Sequence, residues 1–206
     1  MAEKRFMKRL YKPKNFYRLL TDLVTCVGAS GRPPEEDRIS KQFMERIMLA
    51  VTEVNGCRYC SFFHTKVSLK AGLKKEEIKR ALDGDFKDAP QEELGALYFA
   101  QHYAESSGKP NPETVLCLKD AYGEKKSRVL MAYICAIMVG NAWGNMFDAL
   151  RFRIKGLPAS GITFCDELAV IFGPVVFIPL IVLIKVINKI AKLMNWKSTK
   201  IVIGDY

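Results

Sequence analysis

Residues 45–64 read ERIMLAVTEVNGCRYCSFFH, and this stretch decides the fold. Its first half continues a helical pattern that opens near residue 40, with Phe43, Ile47 and Ala50 at helical spacing. Asn55-Gly56 stops that helix, because both residues tolerate the left-handed backbone that ends helices. Cys57, Cys60 and His64 follow at once and open a second helix running to about residue 71. Side chains three and four residues apart share a helix face, so the two thiols and the imidazole are expected to converge. Both cysteines fall in the first turn, where unpaired N–H groups and the helix dipole favour an anion. A thiolate is the reactive form of cysteine, and its pKa falls in such a setting. His64 lies one turn beyond Cys60, in reach as a general base or hydrogen-bond partner.

Three chemistries fit this cluster: disulfide exchange, peroxide reduction and metal binding. Covalent haem attachment needs histidine directly after the second cysteine, and Ser61 stands there. A structural zinc site needs a second ligand pair, whereas the only other histidine, His102, has no partner motif and reads as a surface or subunit-contact residue. Cys57, Cys60 and His64 with a carboxylate remain as an open zinc site, and two buried structural thiols are the bland alternative.

Reading outward, nearly every periodic segment of the 206 residues is helical, and none shows the period-two alternation of strands. Residues 16–27 form a first helix, ended by the breaker cluster GASGRPP at 28–34. Residues 74–82 form a short amphipathic helix. Pro90 and Pro112 mark two further helix starts, ending near Gly108 and Gly123. Residues 127–153 read as the central buried helix: very apolar in the first half, then passing into Asn141, Asn145, Asp148 and Arg151. Six cysteines, four of them scattered singly in apolar surroundings, do not form a secreted disulfide framework. No apolar run follows the basic start as a signal peptide would require, so a cytoplasmic location is expected.

The formal net charge of +10 is concentrated at the two ends. Basic ends around a balanced middle suit an anionic surface, or simply a solvated basic face. No nucleic-acid recognition motif accompanies them, so nucleic acid is not the expected partner. Residues 168–184 (LAVIFGPVVFIPLIVLI) carry no charge but contain Pro174 and Pro179. They are short for a bilayer span, and two prolines disfavour a straight helix. A re-entrant or interfacial hairpin is expected there, followed by a basic amphipathic helix with Trp196 at headgroup level. The soluble alternative is an oligomer arm.

With eleven residues between Glu45 and Cys57, the stretch 45–64 resembles the core of the alkylhydroperoxidase D-like family, within the carboxymuconolactone decarboxylase superfamily. The resemblance spans about residues 40–156, and NAWGNMFDAL at 141–150 adds a less specific match. It implies an all-α helical bundle that assembles into trimers or hexamers, here with an apolar C-terminal helical extension. Three regions follow: a basic arm and first helix (1–39), the helical domain with the cysteine site (40–156), and the apolar and basic extension (157–206). The resemblance further implies a thiol-dependent hydroperoxide reductase with Cys60 attacking the peroxide, Cys57 resolving the sulfenic acid, and Glu45 with His64 relaying protons. No tightly bound cofactor is implied, and an external dithiol such as a lipoyl group would restore the thiols. Tyr59 stands where some members carry histidine. Lactone decarboxylases of the superfamily generally lack the cysteine pair. Glu53, four residues before Cys57, is an alternative carboxylate or a solvated surface residue. The competing reading of the chain is a membrane-docked redox sensor or scaffold, peripheral on the inner face of the membrane, on the same fold without turnover.

Overall fold

The computed structural model describes residues 8–30, 35 and 38–193. Residues 1–7 of the basic arm, the 31–34 part of the breaker cluster, and residues 194–206, with Trp196 and the last lysines, lie outside the described residues. The chain is all-α, with seven helices and no strand among the described residues: α1 (Pro13–Ser30), α2 (Lys41–Asn55), α3 (Arg58–Lys70), α4 (Lys75–Leu82), α5 (Gln91–Glu105), α6 (Pro112–Ile154) and α7 (Phe164–Leu193).

The first breaker acts later than expected, since α1 continues past Gly28 to Ser30. Helix α2 begins where Ser40 Oγ accepts the Phe43 N–H at 3.0 Å, satisfying one of the orphan donors of the first turn. It ends on Gly56, whose φ of 65° lies in the left-handed region that a Cβ would disfavour. Phe43, Ile47, Ala50 and Val51 are buried, and α2 packs against α3, α4, α5 and α6. Buried Arg46 ties three elements together, with Nε 2.7 Å from Glu77 of α4 and Nη1 2.9 Å from Glu93 of α5.

Helix α6 is the other centre of the bundle. Asn111 caps it with Pro112 in its first turn, and Gly123 (φ 73°, ψ 160°) interrupts it where the sequence predicted an end. Beyond that kink, Leu130, Ile134, Met138, Ala142 and Met146 form a fully buried i,i+4 stripe against α1, α2 and α5.

Helix α7 corrects one expectation. The apolar run is a single helix through Pro174 and Pro179, not a hairpin, and the basic segment after it continues the same helix. Each proline removes one i→i−4 hydrogen bond, at a cost of about 3 kcal/mol. Tertiary contacts along one face offset that loss. Glu167 is buried against Arg153 (2.8 Å), Tyr17 Oη donates to the Ala169 carbonyl (2.9 Å), the Tyr17 and Phe177 rings stack at 3.8 Å, and Lys185 Nζ donates to Thr25 Oγ1 (2.7 Å). The outward face stays apolar and exposed, with Phe172 at 63%, Val175 at 77% and Leu183 at 55%.

Candidate active site

The junction of α2 and α3 is held by a polar cluster inside the core. Asn145 of α6 donates through Nδ2 to the carbonyls of Asn55 (2.7 Å) and Arg9 (3.0 Å). Tyr11 Oη donates to Asn55 Oδ1 (3.0 Å), and Thr52 Oγ1 donates to Asn141 Oδ1 (3.2 Å). These buried hydrogen bonds fix one backbone geometry, because a shift would break them where water cannot replace them. They set the position of the residue that follows Gly56.

That residue, Cys57, caps α3. Its sulfur accepts the backbone N–H of Cys60 at 3.3 Å, and the Cys60 thiol hydrogen-bonds it as well. Neither cysteine is in a disulfide. Donation from Cys60, with help from backbone N–H groups and the Lys8 ammonium, overcomes burial and holds the Cys57 thiol down to about 7. The Cys60 thiol is pushed up, first because it donates to Cys57 and then by burial. The first negative charge of the pair therefore rests on Cys57.

Access runs the other way. Cys57 is fully buried, whereas Cys60 is half-buried and borders a cavity of about 630 Å³. His64, Tyr59 and Phe63 of α3 line it with Ile137, Trp143 and Phe147 of α6, so it is apolar apart from the sulfur and the imidazole. Gly144 makes the close approach of α6 to α3 possible: a Cβ there would lie 2.8 Å from Cys57 Sγ and 3.6 Å from Cys60 Sγ.

Glu45 and His64 come together as expected. His64 Nδ1 is 2.9 Å from Glu45 Oε2, and Ser68 Oγ donates to the same oxygen at 3.4 Å. The carboxylate is buried, so it fixes the ring and leaves Nε2 as the nitrogen free to act. Among the described residues no hydrogen bond joins His64 to either sulfur. Glu53 takes no part in this pair. It accepts from Gln101 (3.3 Å) and borders a separate hollow on the Cys57 side. His102 Nε2 accepts the Asn111 N–H at the start of α6 (3.3 Å). The open-zinc arrangement is not assembled: among the described residues no three His, Cys, Asp or Glu side chains converge as metal ligands.

Sequence reasoning passed over Asp148. This fully buried carboxylate pairs with Lys8 and with Arg58, and accepts from Tyr59 Oη at 3.3 Å. It anchors both spacer residues between the cysteines. The signal was present in the 141–150 match, whose Gly144, Asn145 and Asp148 each touch the site.

Residues 19–86, from α1 to just beyond α4, match the model of the carboxymuconolactone decarboxylase family. That part of the chain is similar to the family. Glu45, Cys57, Cys60 and His64 all lie within the matched segment, and the family is all-α and includes the alkylhydroperoxidase D-like proteins. No curated protein and no solved structure gives a match. The family holds decarboxylases as well as peroxidase-like members, so the choice between them falls to the site's own chemistry.

Proposed function

We propose that this chain is a member of the carboxymuconolactone decarboxylase family and a thiol-dependent hydroperoxide reductase that cycles Cys57 and Cys60 between dithiol and disulfide. One observation carries this reading. Of two hydrogen-bonded thiols, one is buried and favours the charge while the other borders an apolar cavity shared with the Glu45–His64 pair.

A hydroperoxide in that cavity meets Cys60. The sulfur attacks one peroxide oxygen, the O–O bond breaks, and the proton of Cys60 passes through His64 and solvent to the departing alkoxide. Glu45 stabilises the imidazolium that forms on the way. The Cys57 thiolate then attacks the Cys60 sulfenic sulfur, and the hydroxide expelled takes a proton and leaves as water. The sum is two thiols and ROOH giving one disulfide, ROH and water. A small dithiol of the lipoyl class reduces the disulfide by exchange. The apolar lining suits alkyl hydroperoxides over hydrogen peroxide. Trimers or hexamers are the assembly this reading carries with it.

The exposed face of α7 is the second part of the proposal. It docks on the anionic inner face of a membrane, lying in the interface. The apolar run 172–183 is followed by exposed Lys189, on a chain of net charge +10, which matches anionic lipid better than a second copy of the same basic chain.

Hydroperoxide consumption with a dithiol reductant tests the assignment. Wild-type protein should turn over and Cys60→Ser should lose most of that rate; equal rates would reject it. The alternative, a redox sensor or scaffold without turnover, draws on His64 bonding Glu45 and not a thiol. It predicts one oxidation event and no multiple turnover.

A further inference from the structure

The proposed cycle uses two of six cysteines. Two others, 109 residues apart in sequence, meet between helices: Cys135 of α6 donates its S–H to Cys26 of α1, with the sulfurs 3.6 Å apart. Cys135 is buried, and its sulfur also meets the Tyr103 hydroxyl at 3.5 Å. Cys26 is half-buried and borders a second cavity of about 190 Å³. The carboxyl of Asp22 opens on the same cavity, one turn before Cys26 on α1. The ammonium of Lys185 is held next door, on Thr25.

Buried cysteines kept as small hydrophobes sit in apolar surroundings and are inert. This pair differs in four respects: a sulfur partner, a cavity, a carboxyl and a nearby cation. Donation from Cys135 is the leading cause that lowers the Cys26 thiol, and Lys185 adds to it against burial and Asp22. The arrangement repeats the logic of the first pair, with one sulfur at an opening and its donor behind it.

We infer that Cys26 and Cys135 are a second redox-active dithiol, a site at which hydroperoxide forms a reversible disulfide between α1 and α6. The Cys26 thiolate attacks a peroxide oxygen, the O–O bond breaks, and the alkoxide takes a proton from the Asp22 carboxyl and leaves as ROH. Cys135 sulfur then attacks the Cys26 sulfenic sulfur; the hydroxide expelled takes the Cys135 proton and leaves as water. Two electrons pass from the sulfurs to the peroxide, and Asp22 recovers its proton from solvent. The sulfurs close from 3.6 Å to the bonded distance of about 2.05 Å. The disulfide links segments far apart in the chain, so the oxidised protein melts higher than the reduced one.

The test uses the full chain with Cys57→Ser and Cys60→Ser, which removes the first pair. The folded protein is treated with excess cumene hydroperoxide, quenched in denaturant with an alkylating agent, digested and analysed by mass spectrometry. The expected result is a disulfide-linked peptide joining Cys26 and Cys135, a higher Tm, and reversal of both by a dithiol. Adding Cys26→Ser should abolish the linked peptide. Full alkylation of Cys26 and Cys135 in folded, peroxide-treated protein would overturn the inference, as would their appearance only in linkages to Cys117 or Cys165. In wild-type protein the 57–60 linkage is read separately, so failure at one site is distinguished from failure at the other.

Discussion

Gly144 of α6 faces Cys57 so closely that a Cβ would stand 2.8 Å from the sulfur, tighter than real Cβ contacts allow. The thiol pair therefore depends on a residue far away in sequence. Gly144→Ala gains up to about 1 kcal/mol of helix propensity but overpacks the site by about 1–3 kcal/mol. The expected outcome is a net loss of stability and a shifted thiol titration. Gly140→Ala is the control, because nothing lies within 4 Å of its Cβ. It should raise Tm and leave the thiols as they are. Thermal melts and thiolate absorbance read both.

The Glu45–His64 pair should matter to rate more than to folding. Glu45→Gln keeps a hydrogen-bond partner for His64 but loses the charge that stabilises an imidazolium. A general acid–base contribution is worth about 10²–10⁴-fold, and turnover should fall to that extent with the far-UV spectrum unchanged. Turnover within a factor of two of wild type would remove the pair from the mechanism.

The thiols should titrate in two separated steps. With Cys26, Cys117, Cys135 and Cys165 replaced by serine, thiolate absorbance should show one group with a midpoint near pH 7, as for Cys57, and no second group until strongly alkaline pH, as for Cys60. Cys60→Ala removes the donor and should return Cys57 toward its ordinary value of 9. The sign for stability follows. A folded thiol pKa depressed to about 7 contributes stability that is present above the unfolded value, near 9, and is lost as pH falls through 7. The raised Cys60 pKa acts in the opposite sense above pH 9, where the unfolded chain would ionise it.

Asp22 carries the opposite sign. Burial pushes its carboxyl up to about 6 despite Arg18 at 3.5 Å, and its Oδ2 has no hydrogen-bond partner. Stability is lost as pH rises from the unfolded value of 3.8 through 6. Asp22→Asn should therefore stabilise the protein by about 2 kcal/mol at pH 7 and by little below pH 4. Denaturant melts at the two pH values test this, and an equal effect at both would contradict it.

The α7 face should bind anionic lipid. Full-length protein should co-sediment with phosphatidylglycerol vesicles, weakly with phosphatidylcholine vesicles, and less at high salt. Phe172→Glu with Val176→Glu changes only exposed positions and should abolish the binding. If wild-type protein stays in the supernatant and the double substitution instead breaks up an oligomer, the face is a subunit contact.

Local signals carried much of this site. Ser40 and Asn55-Gly56 place α2 and α3, and the spacing of Cys57, Cys60 and His64 puts them on one face, because caps and i,i+4 neighbours are written within a few residues. Partners brought by tertiary folding were not legible. Asp148 reaches Arg58 and Lys8 across the bundle, and Cys26 finds Cys135 from 109 residues away. The prolines of α7 misled for a related reason. Pro174 and Pro179 break the local pattern, but Tyr17, Thr25 and Arg153 hold the helix from outside it.

The dithiol cycle is probed most sharply by a single turnover with a stoichiometric alkyl hydroperoxide, followed by quantifying the alcohol and mapping the thiols. Each peroxide should yield one alcohol and one Cys57–Cys60 disulfide, and Cys57→Ser should stop at a trapped sulfenic acid on Cys60. Unreacted thiols with no alcohol formed, or a sulfenic acid on Cys57 when Cys60 is replaced and turnover unimpaired, would contradict it.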